Sequence, residues 1–185
     1  SEIGLIVFGG LYNSVIRALS RLGLADLFGG ARLPIYVLNV AYPLVPDEVK
    51  AFCAGKRAVV IVEEGNPEFV EQQINTLLRR ADLQTRIHGK DCLPLAGEYT
   101  QEVLLRGLSA FLSATRPEGV DVDAIAGRVK LMLAHRPKAT DAVGDIPARP
   151  PNFCTGCPER PVFSALKLMQ RELGPTHIST DIGCH

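Results

Sequence analysis

No stretch of this sequence reaches the ~18 consecutive apolar residues that a membrane-spanning helix requires, and neither sign of charge is in excess. Twenty Lys and Arg offset twenty Asp and Glu, with no basic run, which argues against a nucleic-acid or anionic-membrane surface. A signal-peptide pattern and an initiator methionine are also missing, so the expectation is a piece cut from a longer cytoplasmic protein. The five cysteines are an odd number and do not make a disulfide framework. None is needed, because a domain of about 150 residues already buries roughly 70% of its unfolded surface. With 46% apolar and 22% charged residues the composition is that of an ordinary globular protein, and 185 residues suffice for one good-sized domain and part of a second.

What is present first is an alternation of strand and helix patterns. Ile3 to Phe8 and Ala58 to Val62 are short, continuous apolar runs rich in Val and Ile, the signature of strands buried on both faces. Ile35 to Val40 reads as another strand and Thr85 to His88 as an edge strand. Helical spacing appears in Val15, Ile16, Leu19 and Leu22, with Asn13 or Ser14 as N-cap and Gly23 near the end. Pro46 to Ala54 reads as a short helix. Phe69, Val70, Ile74, Leu77 and Leu78 form a further helical stripe, with Asn66 as cap and Pro67 at the first helical position. Val103 to Leu112 forms another. Alternation at this spacing predicts βαβ units, hence an α/β fold with an open, mainly parallel, three-layer sheet over residues 1–116.

Residues 117–152 then change texture. Asp121 to Ala134 carries a helical pattern, and Arg136 to Asn152 reads as a linker ending in Arg149-Pro150-Pro151, which favours extended chain. A second domain begins at 153. Pro161 opens a helix with Phe163, Leu166, Met169 and Leu173 on one side, and Thr176 to Ile182 reads as a strand.

Cys154 and Cys157 enclose Thr155-Gly156, a spacing at which two thiolates converge on one metal or cluster. Zinc, an iron–sulfur cluster, a dithiol couple and plain structural thiols all fit that pair alone, although a dithiol couple suits a compact strand–helix turn better than a proline-rich approach. Cys184 follows 27 residues after Cys157 at an expected strand end, placed to return as a third ligand. His185 beside it would point to the opposite face of a strand, so three cysteines with a fourth ligand from elsewhere is the better geometry.

Other candidates have plainer readings. Cys53 and Cys92 read as buried structural thiols. Glu63 and Glu64 end the best central strand, where open α/β sheets bind ligands, but helix-cap and interface hydrogen bonding is the favoured role. Gly9-Gly10 lacks a full phosphate-binding glycine pattern. His88 and Lys90 read as a solvated loop, and His135 and His177 show no partner.

The string Asn152-Phe-Cys-Thr-Gly-Cys-Pro-Glu-Arg-Pro-Val-Phe-Ser-Ala-Leu-Lys167, followed by Thr180-Asp-Ile-Gly-Cys-His185, closely resembles the start of the diphosphate-binding domain of thiamine-diphosphate-dependent 2-oxoacid:ferredoxin oxidoreductases. It looks most like the large subunit of the indolepyruvate-oxidising kind. Ala41-Tyr-Pro-Leu44, Val60-Ile-Val-Glu-Glu-Gly65, His88-Gly-Lys-Asp91 and Gly97-Glu98 resemble, in the same order, that subunit's transketolase C-terminal-like domain. The resemblance implies that residues 1–116 are such a domain and that residues 153–185 start the thiamine-diphosphate-binding α/β domain. It implies Cys154, Cys157 and Cys184 as ligands of a [4Fe-4S] cluster, and Asp181, Gly183 and Cys184 near thiamine diphosphate and its Mg2+. Ferredoxin, coenzyme A, a 2-oxoacid and other subunits or domains of the enzyme are the implied partners, in a homo-oligomer. The Gly-Asp-Gly metal motif and the activating carboxylate of such enzymes are not among these residues, so the 185-residue chain alone is expected to be inactive.

Overall fold

The computed structural model describes residues 1–26, 28–65, 68–144 and 156–179, with only the backbone for 136–140. Two compact units are present, Ser1–Ala142 and Val143–His185.

In the first unit, β1 (Ile3–Phe8), β2 (Ile35–Leu38), β3 (Ala58–Val62) and β4 (Arg86–His88) form one sheet in the order β2-β1-β3-β4. Every pairing is parallel, with Leu5 opposite Ile35, Leu5 opposite Val60 and Val59 opposite Ile87. The two uniformly apolar strands are central neighbours, as expected from their composition, and shorter, more polar β4 lies at the edge.

Strand periodicity divides the core. Ile3, Leu5, Val7, Ala58, Val60 and Val62 point to one face, where they meet α1 (Tyr12–Leu22), α4 (Gln101–Thr115) and the start of α5 (Val122–Val143). Ile6, Val59 and Ile61 point to the other, against α2 (Pro46–Cys53) and α3 (Phe69–Arg80). The sheet is therefore the middle of three layers, because each strand residue of period two must bury on alternate sides. α4 contributes Leu104, Leu105, Leu108, Phe111 and Leu112, all nearly inaccessible, each stabilising by about 1.5–3 kcal/mol as its side chain leaves water.

Local chemistry sets the helix ends. Gly23 adopts the left-handed conformation (φ +78°) and closes α1, where a Cβ would be strained. Asn13 and Ser14 are not the cap of α1. A 3-10 turn over Gly9–Leu11 brings the chain into the helix at Tyr12, one residue before them. α3 begins at Phe69 rather than Pro67. The expected cap Asn66 and Pro67 lie outside the described residues; among the described ones, the Glu63 carboxylate accepts N–H groups of the first turn. β2 stops at Leu38, two residues short of the expected Val40, as it runs out beyond its register with β1.

α5 runs on to Val143, through the segment expected to be extended linker. Lys138, Ala139 and Ala142 are good helix formers, and the helix continues through them into the segment read as linker. Asp121 accepts the Ala124 N–H at 2.9 Å and caps its start.

In the second unit, α6 spans Glu159–Leu173 and none of its residues is buried. The expected strand from Thr176 to Ile182 is not seen over 176–179, which have no regular structure. A lone strand leaves its backbone groups unpaired, and no partner strand is present among the described residues of this unit. Thr180 to Ile182 lie outside them.

Candidate functional site

Strand order reverses between β1 and β3: the chain leaves β1 for β2 on one side and returns to β3 on the other. Open α/β sheets bind ligands at such a switch point, beyond the carboxyl ends of the strands. Here a groove of about 560 Å³ opens, lined by Phe8, Tyr42, Glu63, Gly65, Phe69 and Val70 among others.

Glu63, the residue after β3, is 6% exposed. Its carboxylate accepts the N–H groups of Val70 at 2.9 Å and Glu71 at 3.0 Å. It thus supplies both an acceptor and a negative charge to the positive end of α3. Glu64 is exposed, and its carboxylate accepts the Tyr99 N–H at 2.6 Å. The helix-cap reading holds for Glu63, while Glu64 ties its loop to the Tyr99 backbone.

Lys90 is the centre of the edge. Its ammonium donates to the carbonyls of Glu63 at 2.5 Å and Gly65 at 2.9 Å, and to the Tyr99 hydroxyl at 2.8 Å. It also lies 5.0 Å from the centre of the Tyr99 ring. The Lys90 N–H donates to the Glu71 carboxylate at 3.0 Å. One side chain therefore ties the loop after β3 to the loop after β4. Burial draws its pKa down against the charges of Glu63, Glu71, Glu68 and Glu64, which raise it. Tyr99 is pushed up to about 12 by burial and then by Glu63, Glu64 and Glu71, so its hydroxyl stays protonated and donates to the Pro94 carbonyl at 2.8 Å.

The solvated-loop reading of His88 and Lys90 is overturned. His88 ends β4, is 3% exposed, and packs edge-on against Phe111 with ring centres 5.4 Å apart. It is buried because β4 delivers it beneath α4. Its Nδ1 lies 2.7 Å from Asp91 Oδ2, while Asp91 Oδ1 accepts the Gly89 N–H at 2.9 Å. Cys92 Sγ stands 3.9 Å from the same Nδ1. Desolvation raises the Asp91 pKa, but the Gly89 N–H and His88 together hold it below the usual carboxylate range. Burial, and then Asp91, push the Cys92 thiol up to about 12. Cys53 is fully buried at the end of α2, raised to about 11 by burial, the structural thiol that was expected. Cys92 is half-buried.

Of the cysteine string, Cys157 is described. It is a free, half-buried thiol just ahead of α6, following Gly156 at φ +78°. Cys154, Asp181, Gly183, Cys184 and His185 lie outside the described residues. His135 and His177 are exposed. Sequence reasoning passed over the Lys90 node and the grouping of His88, Asp91 and Cys92. The second had one visible signal, a spacing of three and four residues after a strand end.

Fold and edge together define a doubly wound α/β domain with its polar cross-links at the carboxyl ends of the parallel strands. The relatives are more particular. The whole chain aligns, at 33% identity, with 26% of indolepyruvate oxidoreductase subunit IorA of Methanothermobacter thermautotrophicus. It aligns over its whole length at 28% with 25% of the Pyrococcus horikoshii subunit of the same name, and at 27% with 26% of that of Archaeoglobus fulgidus. The similarity to subunit IorA thus extends along all 185 residues, and the chain spans about a quarter of the length of the curated relatives it matches. No protein-family model and no solved structure matches it.

Proposed function

We propose that this chain is one segment of the large subunit of a thiamine-diphosphate-dependent 2-oxoacid:ferredoxin oxidoreductase, which oxidatively decarboxylates an aryl 2-oxoacid such as indolepyruvate to an acyl-coenzyme A. The observation that supports this reading is the similarity over the whole chain to subunit IorA from three organisms, with Cys154-Thr-Gly-Cys157-Pro158 and Asp181-Ile-Gly-Cys184 in the last part of the sequence.

Within that enzyme Cys154, Cys157 and Cys184 donate thiolates to a [4Fe-4S] cluster, and a fourth ligand comes from elsewhere. The described part of the string fits such a role. Cys157 is free and half-buried just ahead of α6, and Gly156 before it takes a left-handed turn. Asp181 and Gly183 contribute to the thiamine diphosphate and Mg2+ site. When bound, thiamine diphosphate supplies carbanion stabilisation and the cluster one-electron acceptance. Residues of the first unit act as scaffold: the Glu63 cap and the Lys90 ties hold the sheet edge firm for contact with other domains or subunits.

The test is elemental analysis of the full-length enzyme purified without oxygen. Iron with acid-labile sulfide is expected, reduced in Cys154→Ser and Cys157→Ser, together with ferredoxin reduction that requires coenzyme A and indolepyruvate. Zinc without sulfide would replace this reading with that of a metal-stabilised α/β module. Decarboxylation that never reduces ferredoxin would replace it with a thiamine-dependent decarboxylase. The 185-residue chain alone is expected to turn over no oxoacid.

A further inference from the structure

At the carboxyl end of β4 three donor atoms of different chemistry converge. His88 Nδ1, an Asp91 carboxylate oxygen and Cys92 Sγ all lie within 4.8 Å of one another. The geometry points to a mononuclear site for a borderline divalent cation, Zn2+ by preference, held by these three residues and completed by water. It uses none of the residues of the cysteine string and does not rest on the proposed oxidoreductase activity.

The pieces are built around one point. His88 is fixed by β4 and by the edge of Phe111, and Asp91 has one oxygen pinned by the Gly89 N–H, which aims the other at His88. Oriented ligands of this kind, each steadied by a further contact, are what tight metal sites need. The turn that brings Cys92 back is closed by its own N–H and that of Leu93 on the Gly89 carbonyl, at 3.0 and 2.8 Å. Asp91 is exposed and Cys92 half-buried, which leaves a path for the ion and for a bound water.

Zinc bonds of about 2.0–2.1 Å to nitrogen, 2.0–2.2 Å to oxygen and 2.3 Å to sulfur place ligand atoms roughly 3.3–3.6 Å apart in a tetrahedron. The His88–Asp91 and His88–Cys92 separations of 2.7 and 3.9 Å bracket that spacing. The exposed Asp91 side chain needs to swing by about half an ångström. Glu71 adds negative potential at Cys92, and Arg86 opposes it. Binding replaces the Cys92 thiol proton, which leaves to solvent as the sulfur–metal bond forms.

The rival use of Cys, His and Asp is a nucleophilic triad. There the carboxylate sits on one imidazole nitrogen and the nucleophile on the other. Here both face the same Nδ1, so the three groups meet at a point and cannot relay a proton along a line. The consequence of metal binding is local. The loop that carries Lys90 is stapled to β4, and with it the tie between the two loop ends at the sheet edge.

The experiment uses the 185-residue chain with Cys154, Cys157 and Cys184 each replaced by Ser, so that the cysteine string cannot contribute. Cobalt(II) is added without oxygen as a spectroscopic stand-in for zinc. A near-ultraviolet thiolate-to-cobalt band saturating at one ion per chain is expected, bleached by one equivalent of zinc. The band should be lost in Cys92→Ala and in Asp91→Asn, whose amide oxygen still accepts the Gly89 N–H and keeps the turn. Zinc should raise the melting temperature of the parent and leave that of Cys92→Ala unmoved. Absence of a saturable band, or a band that survives Cys92→Ala, overturns the site. Neither result bears on the iron content of the full-length enzyme.

Discussion

Replacing Glu63 with Ala removes a buried carboxylate whose work is done seven and eight residues away. Val70, 5% exposed, and the half-buried Glu71 both lose the acceptor for their backbone N–H. A buried donor left without a partner costs about 1–3 kcal/mol. The Val70 amide incurs that in full, and the Glu71 amide in part, since water reaches it. A negative charge at a partly buried helix start contributes up to ~2 kcal/mol more. The sum is about 3 kcal/mol, which for a unit of this size is a fall in Tm of roughly 6–12 °C. Glu63→Gln should lie between, because it keeps one acceptor oxygen, loses the charge and turns an amide donor toward a donor. Urea unfolding followed by far-ultraviolet circular dichroism measures the change, with the m-value unchanged. Glu64→Ala is the internal control: an exposed carboxylate with one bond to the Tyr99 N–H, expected to cost about 1 kcal/mol. If Glu63→Ala costs no more than Glu64→Ala, the long-range cap does not hold α3.

Two glycines test packing against propensity. A Cβ on Gly107 of α4 would strike the Leu93 side chain and sit 3.1 Å from the Cys92 carbonyl, so Gly107→Ala should destabilise by about 1–3 kcal/mol. A Cβ on Gly127 of α5 meets nothing within 4 Å, so Gly127→Ala should stabilise by about 0.5–1 kcal/mol; both are read by the same urea titration, and equal signs would refute the contrast. Lys90→Met keeps the stem but leaves the Glu63 and Gly65 carbonyls without their donor, with an expected loss of about 2 kcal/mol and faster amide exchange in the loops after β3 and β4. Glu2 has a lowered pKa because Arg57 donates to it and the Glu118 N–H adds a second bond. Its contribution is therefore present above the unfolded carboxylate pKa and lost as pH falls through the lower folded value. The stability gap between the parent and Glu2→Gln should be constant near neutral pH and close under acid, and a gap that persists in acid would refute the pairing.

Residue patterns identified much of this architecture before any coordinates. Ile3–Phe8 and Ala58–Val62 are apolar at every position but Gly4, and a strand with no polar side has to be covered on both faces. A place inside a parallel sheet, side by side or nearly so, follows from that, and the structure makes the two strands direct neighbours with Arg86–His88 at the edge. Helix existence was equally legible, since stripes such as Val70, Ile74 and Leu78 repeat at the helical period. Helix boundaries were not. Glu63, seven residues upstream of Val70, caps the first turn of α3, and α5 continues beyond Pro137.

The sequence by itself determined the α/β class, the layering and the likeness to the IorA subunit, because those rest on periodicity and on strings of neighbouring letters. Only the tertiary structure decided what the polar residues do. Lys90 is one cation among many until folding places four acceptors around its ammonium, contributed from Glu63, Gly65, Pro94 and Tyr99. His88 is one histidine of four until β4 seats it against Phe111 and the following turn brings Asp91 and Cys92 to the same ring nitrogen. Apolar burial is non-directional and survives in a pattern, whereas a hydrogen bond or a ligand set needs particular atoms within about 3 Å, and that distance exists only once the chain has folded.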